Sequence, residues 1–513
     1  MTMVFTRART TVLLALVLAL GLAACGGSDP VEEDAGAGGD DPTEAAADTT
    51  DDTGEADADE TDTAADTADD SADAGSGDAV EIRWFVGLGA GGQPEQIAAQ
   101  EAVVDAFNSS HDDIQIVLEV VENDVAYDTL STQIAGGNPP DIVGPVGRDG
   151  ANSYAGLYLD LEPLIEQTGY DTSRWPEETV ENFREDDGTL PGLPFASFPS
   201  FIYFNTELFD EAGLPYPPQS YGDDGTATYG EGTEYEGPWD YAKVAEIAEI
   251  LTVDANGTDA TSPDFDRSQT VQWGYINQWT TLMFAQGTHF GAGSPVADDG
   301  TADIPAAWEE EWAWYHDAVW ESGFAPSQEQ FDSDLLAGNP FASGNVAMAN
   351  SHLWYTCCIR DDDGNGYDFF DIAVMPSHDG VVTANMHADT FRILESTEHP
   401  EEAFEVLSHL LDDAALELLN AYGAAPADPS LTEAFFADLD EVFPQGVTWE
   451  VAMDSAAYAD VPSAEQAVPG WDEYKLALAD LESAQLSDPD LDMAAAVADL
   501  EAELTDIFAA SAE

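Results

Sequence analysis

The sequence predicts an α/β protein in two lobes. Three observations carry this expectation. Strand, helix, strand, helix and strand patterns follow one another over residues 81–143, an order that implies a parallel sheet with right-handed crossovers. Alternating strand and helix patterns resume at residue 198 and run towards the C-terminus, with no internal repeat. Of 513 residues 44% are hydrophobic, including 12 Trp, 17 Tyr and 23 Phe, enough for two or three domains' worth of core.

The elements follow in order. Glu81–Val86 reads as a buried strand. Pro94 suits the first turn of a helix reaching Asn108, in which Ile97, Val103, Val104 and Phe107 recur at helical spacing. Ile114, Ile116, Leu118 and Val120 alternate along a second strand, 114–121. A helix around Tyr127–Ala135 closes at Gly136-Gly137, and Asp141–Val143 is a short third strand. Phe198–Asn205 is a further strand, followed by a helix over Thr206–Ala212 that ends at Gly213. Pro215–Pro238, rich in Pro, Gly, Tyr and Asp, is a long loop. Helices are expected over Tyr241–Leu251, Ala307–Ser322 and Glu401–Leu411, and over much of Leu476–Ala510. Strands are expected over Val271–Ile276, Phe369–Val374 and Phe391–Leu394. Trp308 and Trp312 share one helix face and read as core.

The charge excludes several function classes. There are 104 Asp and Glu against 11 Lys and Arg, a formal net charge of −93. Nucleic-acid binding needs basic patches and is excluded, as is docking on anionic lipid through charge. From Ala79 on, the net charge is still roughly −75. Charge of that size repels itself in dilute buffer, and molar salt, with a Debye length of about 3 Å, removes most of the penalty. A halophilic source follows as an expectation. Any single Asp or Glu here is first of all solvated surface.

The first residues carry an address. Arg7 and Arg9 precede the apolar run Thr11–Leu20, and Leu22-Ala-Ala-Cys25 follows. A positive start, a short apolar stretch and small residues before a cut describe a signal peptide, 1–24. The run is too short for a comfortable membrane span. Leu-Ala-Ala-Cys resembles the bacterial lipobox, which implies that Cys25 is lipidated and anchors the chain. Residues 25–78 then form an acidic tether with almost nothing apolar beyond Ala, too polar to fold.

Six pieces occur in a set order. They are Tyr127-x-x-Leu130-x-x-x-Ile134-Ala-Gly-Gly-Asn-Pro-Pro-Asp141-Ile-Val, Leu157-Tyr-Leu-Asp-Leu-Glu-Pro-Leu164, and Gly192-Leu-Pro194 with Tyr203-Phe-Asn205-x-x-Leu208-Phe209-x-x-Ala-Gly213-Leu. Pro238-Trp239-Asp240, Phe341-Ala-Ser-Gly344-Asn-Val-Ala-Met348 and His399-Pro-Glu-Glu-Ala403-Phe404-x-x-Leu407 complete the set. Together behind a lipobox they resemble the extracellular solute-binding proteins of ABC importers, in the sugar-binding family that includes the maltose-binding protein. The resemblance implies a periplasmic-binding-protein-like fold: two α/β lobes, hinge strands and a cleft between the lobes. It places 79–197 with about 390–440 in lobe 1, and about 198–389 with 441–513 in lobe 2. It implies a monomer that captures a sugar by lobe closure and delivers it to the permease subunits at the outer face of the cytoplasmic membrane, with no catalytic residue and no cofactor.

Candidate ligand contacts follow. Gly87-Leu-Gly89-Ala-Gly91-Gly92 matches G-x-G-x-x-G, but the acidic Glu122 falls about 30 residues on instead of about 20, and an exported chain does not suit a nicotinamide cofactor. The loop therefore reads either as a backbone surface at the cleft, through Gly89 and Gly91, or as a tight turn. The resemblance carries ligand contact to Gly147, Arg148 and Asp149, to Asn277-Gln278-Trp279, and to Trp354-Tyr355. An aromatic ring suits the C–H face of a sugar and polar groups its hydroxyl rim. Arg148 reads equally as a surface ion pair. His387 and Asp389 lie where a strand returns through the hinge, facing the cleft or closing a hinge hydrogen bond.

Cys357 and Cys358 are adjacent in an exported chain, which favours oxidation. Adjacent Cα atoms, about 3.8 Å apart, fall below the usual disulfide range, so a vicinal bridge would be strained. It would also be a flat apolar plate beside Trp354. Two buried thiols are the other reading. Asp361-x-Asp363-x-Asn365-Gly366 copies half a calcium loop, but Ile372 stands at the twelfth position where an acid is required. It is a weak metal candidate and reads more readily as a turn. Two other functions fit parts of the chain: an exported glycoside hydrolase, which needs a carboxylate pair, and a calcium-dependent surface protein.

Overall fold

The computed structural model describes residues 79–511 apart from 186–187, 281–282 and 362–363. The signal peptide, Cys25, the tether and Asp363 lie outside the described residues. Among the described residues no helix is long and apolar enough to cross a membrane.

The first strand, β1 (Val80–Val86), buries Ile82, Trp84, Phe85 and Val86. It leads to α1 (Pro94–Ser110), β2 (Ile114–Val120), α2 (Asn123–Ala135) and β3 (Ile142–Gly147). β1 pairs in parallel with β2 and with β3, as the alternating order predicts. Pro94 opens α1, as expected. The buried face of α1 differs from expectation. Gln96 and Gln100 join Val103 and Phe107 in it, while Ile97 and Val104 are only half-buried. The two glutamines turn inwards because each hydrogen-bonds the backbone of Gly91.

A one-turn helix, α3 (Arg148–Asn152), follows β3 directly. The next strand, β4 (Gly192–Asn205), begins six residues before the sequence pattern predicts and is buried almost throughout. α4 (Thr206–Ala212) is capped by Asn205, whose side chain accepts from Glu207 N and Leu208 N, and it ends at left-handed Gly213. The 215–238 loop holds a short ladder, 228–229 with 237–238. α5 (Tyr241–Leu251) buries Val244, Ile247, Ala248 and Leu251 as expected.

The strand expected over 271–276 is broken. Residues 270–272 pair with 253–254, and β5 (Ile276–Asn277) then joins the main sheet. Gly274 marks the switch, because it lies against the backbone of α5: a Cβ there would stand 2.1 Å from Ala248 O. α6 (Met283–Gly287) and α7 (Ala306–Asp317) follow, the latter running into a wider turn over 318–322 that ends at left-handed Gly323. β6 (Met348–His352), β7 (Phe370–Ala373) and β8 (Met386–Ile393) complete the middle of the chain. α8 (Pro400–Leu411), α9 (Ala415–Tyr422) and β9 (Ala425–Pro426) precede two long C-terminal helices, α10 (Trp471–Ser487) and α11 (Met493–Ser511).

One nine-stranded sheet runs in the order β2-β1-β3-β8-β4-β6-β5, with β7 and β9 also on β4. β4 organises it. Its first half, 192–199, pairs antiparallel with β8, and its second half, 200–205, pairs with β6 and β7. β8 pairs in turn with β3. The parallel β1–β3 layer and the β5–β7 layer are therefore the two lobes, joined through β4 and β8. Trp308 and Trp312 are core, as predicted: they pack with α6, α10 and α11 in a separate cluster. Their indole N–H groups donate to Gly291 O at 3.1 Å and Met283 O at 2.9 Å.

Candidate functional site

Where β4 and β8 pass from one lobe to the other, the chain leaves a cavity of about 380 Å³. The β1–α1 loop (Leu88, Gly89, Gln93), the start of α2 (Asn123, Tyr127) and the β3–α3 junction (Gly147, Asp149) line one side. Trp279 after β5 and Trp354, Cys357 and Cys358 after β6 line the other. His387 and Asp389 of β8, Phe198 of β4 and Glu465 close its inner end.

The aromatic wall is a row of rings. Trp279 is 43% exposed and has φ +55°, a left-handed backbone that large side chains rarely adopt. It stacks on Trp354 with centroids 6.2 Å apart and planes at 14°. His352 stacks behind Trp354 at 5.6 Å, and His387 behind His352 at 3.9 Å. A buried chain holds the row from behind. His352 Nε2 donates to Asn385 Oδ1 at 2.8 Å, and Asn385 Nδ2 donates to Asp460 at 3.1 Å. Asp460 also accepts from Met386 N and Ala464 N. Burial pushes the His387 imidazole down to about 4, and drives that of His352 well below its usual range. Both rings are neutral and present flat faces.

Other predicted residues sit behind the surface. Gln278 accepts from Phe341 N at 3.0 Å and donates to Asn339 Oδ1 at 3.3 Å. Tyr355 is fully buried and donates to Asn339 Oδ1 at 2.6 Å. Both brace the aromatic wall without facing the cavity. Gly91 is also buried. Its N–H donates to Gln96 Oε1, and its carbonyl accepts from Gln100 Nε2, each at 3.0 Å. Gly89, in contrast, is exposed at φ +96°, with open space on the side where a Cβ would stand, and it lines the cavity. Its N–H bonds Gly87 O at 3.0 Å, so this loop offers the cavity its surface and not these two donors.

Arg148 turns away. Its guanidinium donates to Asn182 O and lies 5.5 Å from the Phe183 ring centroid. Asp149 lines the cavity and pairs with Lys475 at 2.7 Å. Asp389, on β8, faces the same space, and burial pushes its carboxyl up to about 7. Nothing in the sequence singles out Glu465. Burial, then the charges of Asp149 and Asp389, raise its carboxyl well above the usual range. Tyr127, legible in the sequence only as part of a motif, lies 5.2 Å under the Lys475 ammonium.

Cys357 and Cys358 are disulfide-bonded and line the cavity beside Trp354. Asp361 accepts from Asn365 N at 2.8 Å and from Asn365 Nδ2, and Arg360 pairs with Gly366 across the turn. The first carboxylate of the half calcium loop is thus engaged by Asn365.

The sequence profile of the bacterial extracellular solute-binding protein family matches residues 91–417, and the chain belongs to that family. An uncharacterised lipoprotein of Streptomyces antibioticus is 24% identical over 162 residues, 31% of this chain and 32% of the relative. The match spans about a third of that relative's length. An ABC substrate-binding protein of Listeria monocytogenes, solved in complex with cycloalternan, superposes with a TM-score of 0.64 at 20% identity, over 84% of this chain and 99% of that one. Maltose-bound MalE3 of T. maritima superposes with a TM-score of 0.61 at 15% identity, over 83% and 99%. These likenesses place the fold among two-lobed solute-binding proteins.

Proposed function

We propose that this protein is the sugar-capturing component of an ABC importer, tethered by a lipid on Cys25 to the outer face of the cytoplasmic membrane. It works as a monomer and hands its ligand to the permease subunits. The observation that carries this reading is Trp279: a large, exposed ring held at positive φ against Trp354, beside a cleft rimmed by carboxylates. A ring in that position covers the C–H face of a pyranose while polar groups meet its hydroxyls. Gly89, Asp149, Trp279, Trp354, His387 and Asp389 are the residues of the sequence reading that we assign to ligand contact. Gly91, Gln278 and Tyr355 support them from behind, Arg148 is turned away to Asn182, and the Cys357–Cys358 plate extends the apolar wall.

In this reading the lobes divide near residues 197, 390 and 440, as the family resemblance implies. A ligand that touches both layers favours their closed arrangement, and it shifts the equilibrium only by its preference for that state. The family resemblance and the sugar-bound neighbours support the ligand class. The test is a thermal-shift screen of the mature protein in molar NaCl against mono- and disaccharides. A saturable rise in melting temperature is expected with one of them, with no product formed on incubation. Silence across the sugars, or turnover of the sugar that binds, overturns the reading.

A further inference from the structure

The inner end of the cleft holds more carboxyl groups than the chain supplies partners for. Asp149 has Lys475. Asp389 and Glu465, 8% and 5% exposed, have no comparable partner. Glu465 Oε2 is buried without a hydrogen bond, and its Oε1 stands 4.0 Å from His387 Nε2, a ring that burial keeps uncharged. The Asp389 carboxylate makes no hydrogen bond or ion pair among the described residues. Arg148 attracts Glu465 only from a distance, since its guanidinium is engaged by Asn182 and forms no ion pair among the described residues. Asp460, nearby, is satisfied by Met386 N, Ala464 N and Asn385.

Two buried carboxyl groups without a counter-charge are costly to ionise in the empty protein. A neutral sugar supplies hydroxyls but no charge. An anionic solute is repelled. A cation satisfies both carboxylates, and the ring faces of Trp279 and Trp354 in the same cavity attract it further. We propose that Asp389 and Glu465 receive a positively charged nitrogen of the solute, so that the ligand is an amine-bearing sugar or a small organic ammonium compound. This deepens the sugar reading and rests on the same cleft.

The groups facing the pair are Asp149, Asp460, Arg148, His387 and the hydroxyl of Tyr422, with Lys475 held on Asp149. Burial raises both carboxyls, Asp389 to about 7. Affinity for a cation therefore rises with pH, by about tenfold between pH 6 and 8 if one proton leaves on binding.

The experiment is a thermal-shift and tryptophan-fluorescence titration of the mature protein in molar NaCl. The probes are glucose, glucosamine, glucuronate, choline and spermidine. At least one amine is expected to bind, glucosamine better than glucose, and glucuronate not at all. Choline, whose charge does not titrate, serves for the pH series. Asp389→Asn and Glu465→Gln are each expected to weaken the amine by about tenfold or more, and to raise the melting temperature of the ligand-free protein at pH 8. Glucose binding as well as glucosamine overturns the cationic site and leaves sugar capture standing. Choline or spermidine binding with no sugar keeps the cationic site and overturns sugar capture. No response to any amine overturns the inference.

Discussion

The imidazole of His387 lies 3.9 Å from that of His352, with their planes at 20°. This contact ties β8, which pairs with β3 and with the first half of β4, to the end of β6. Through Trp354 it extends to Trp279 at the cleft mouth, so the exposed ring is the last of four in a supported row.

Removing that last ring tests its role. Trp279→Ala takes away an exposed face and leaves Trp354 and both histidines in place. Ligand affinity is expected to fall by about 1–2 kcal/mol, about 5- to 30-fold, with little change in melting temperature. Titration of the ligand identified by the screen, followed by fluorescence and calorimetry, checks both numbers.

Glu311 gives a pH signature away from the cleft. It is buried on α7, and burial pushes its carboxyl up to about 8. A folded-state pKa above the unfolded one stabilises fully below the unfolded value, near 4.3, and that stability is lost as pH rises through 8. Relative to Glu311→Gln, the wild type is expected to lose about 1.4 kcal/mol per pH unit between pH 5 and 8, then level off. Denaturant melts of both proteins at pH 5, 6.5, 8 and 9 check it.

Gly274 sets the spacing between α5 and the broken strand. A Cβ there would stand 2.1 Å from Ala248 O and 2.4 Å from Ala248 Cα. Backbone cannot move aside as a side chain does. Gly274→Ala is expected to destabilise by about 3 kcal/mol. Gly92→Ala, at a glycine without positive φ whose Cβ would meet nothing nearer than Asn123 Oδ1 at 3.9 Å, is the comparison. Equal melting temperatures for the two variants would refute the packing argument.

The bridge and the surface charge each have a direct assay. Thiol titration of the denatured, unreduced mature protein is expected to find neither Cys357 nor Cys358 reactive. Melting temperature is expected to climb by about 10 °C or more between 0.1 M and molar NaCl, as screening relieves the acidic surface. A flat salt curve would count against halophilic adaptation.

What the sequence made legible follows from chemistry. β1 and β2 announce themselves through apolar and β-branched runs, and α4 through its Asn205 cap and Gly213 stop. β6 does not, because Asn350, Ser351 and His352 are poor strand formers. Two of them find partners only in the folded state, where Ser351 Oγ donates to Gln278 O and His352 Nε2 to Asn385 Oδ1. Gln96 and Gln100 read as a polar helix face until Gly91 gives them partners. At the cleft, Trp279 and Trp354 are reached through the family resemblance, one after the 271–276 strand and the other after the Phe341–Met348 motif. Glu465 does not, since one acid among 104 carries no signal of its own. Only its burial beside Asp389 separates it from the solvated surface.

The shared strands also decide how this molecule can be taken apart. β4 spends residues 192–199 in one layer and 200–205 in the other, while β8 bridges β3 and β4. Cutting the gene at either crossing would strand half of β4 with unpaired backbone. Neither lobe can therefore be expressed as an autonomous module. A nick within the exposed 215–238 loop should instead leave two fragments that stay associated, and a circular permutant opened there should keep the whole sheet.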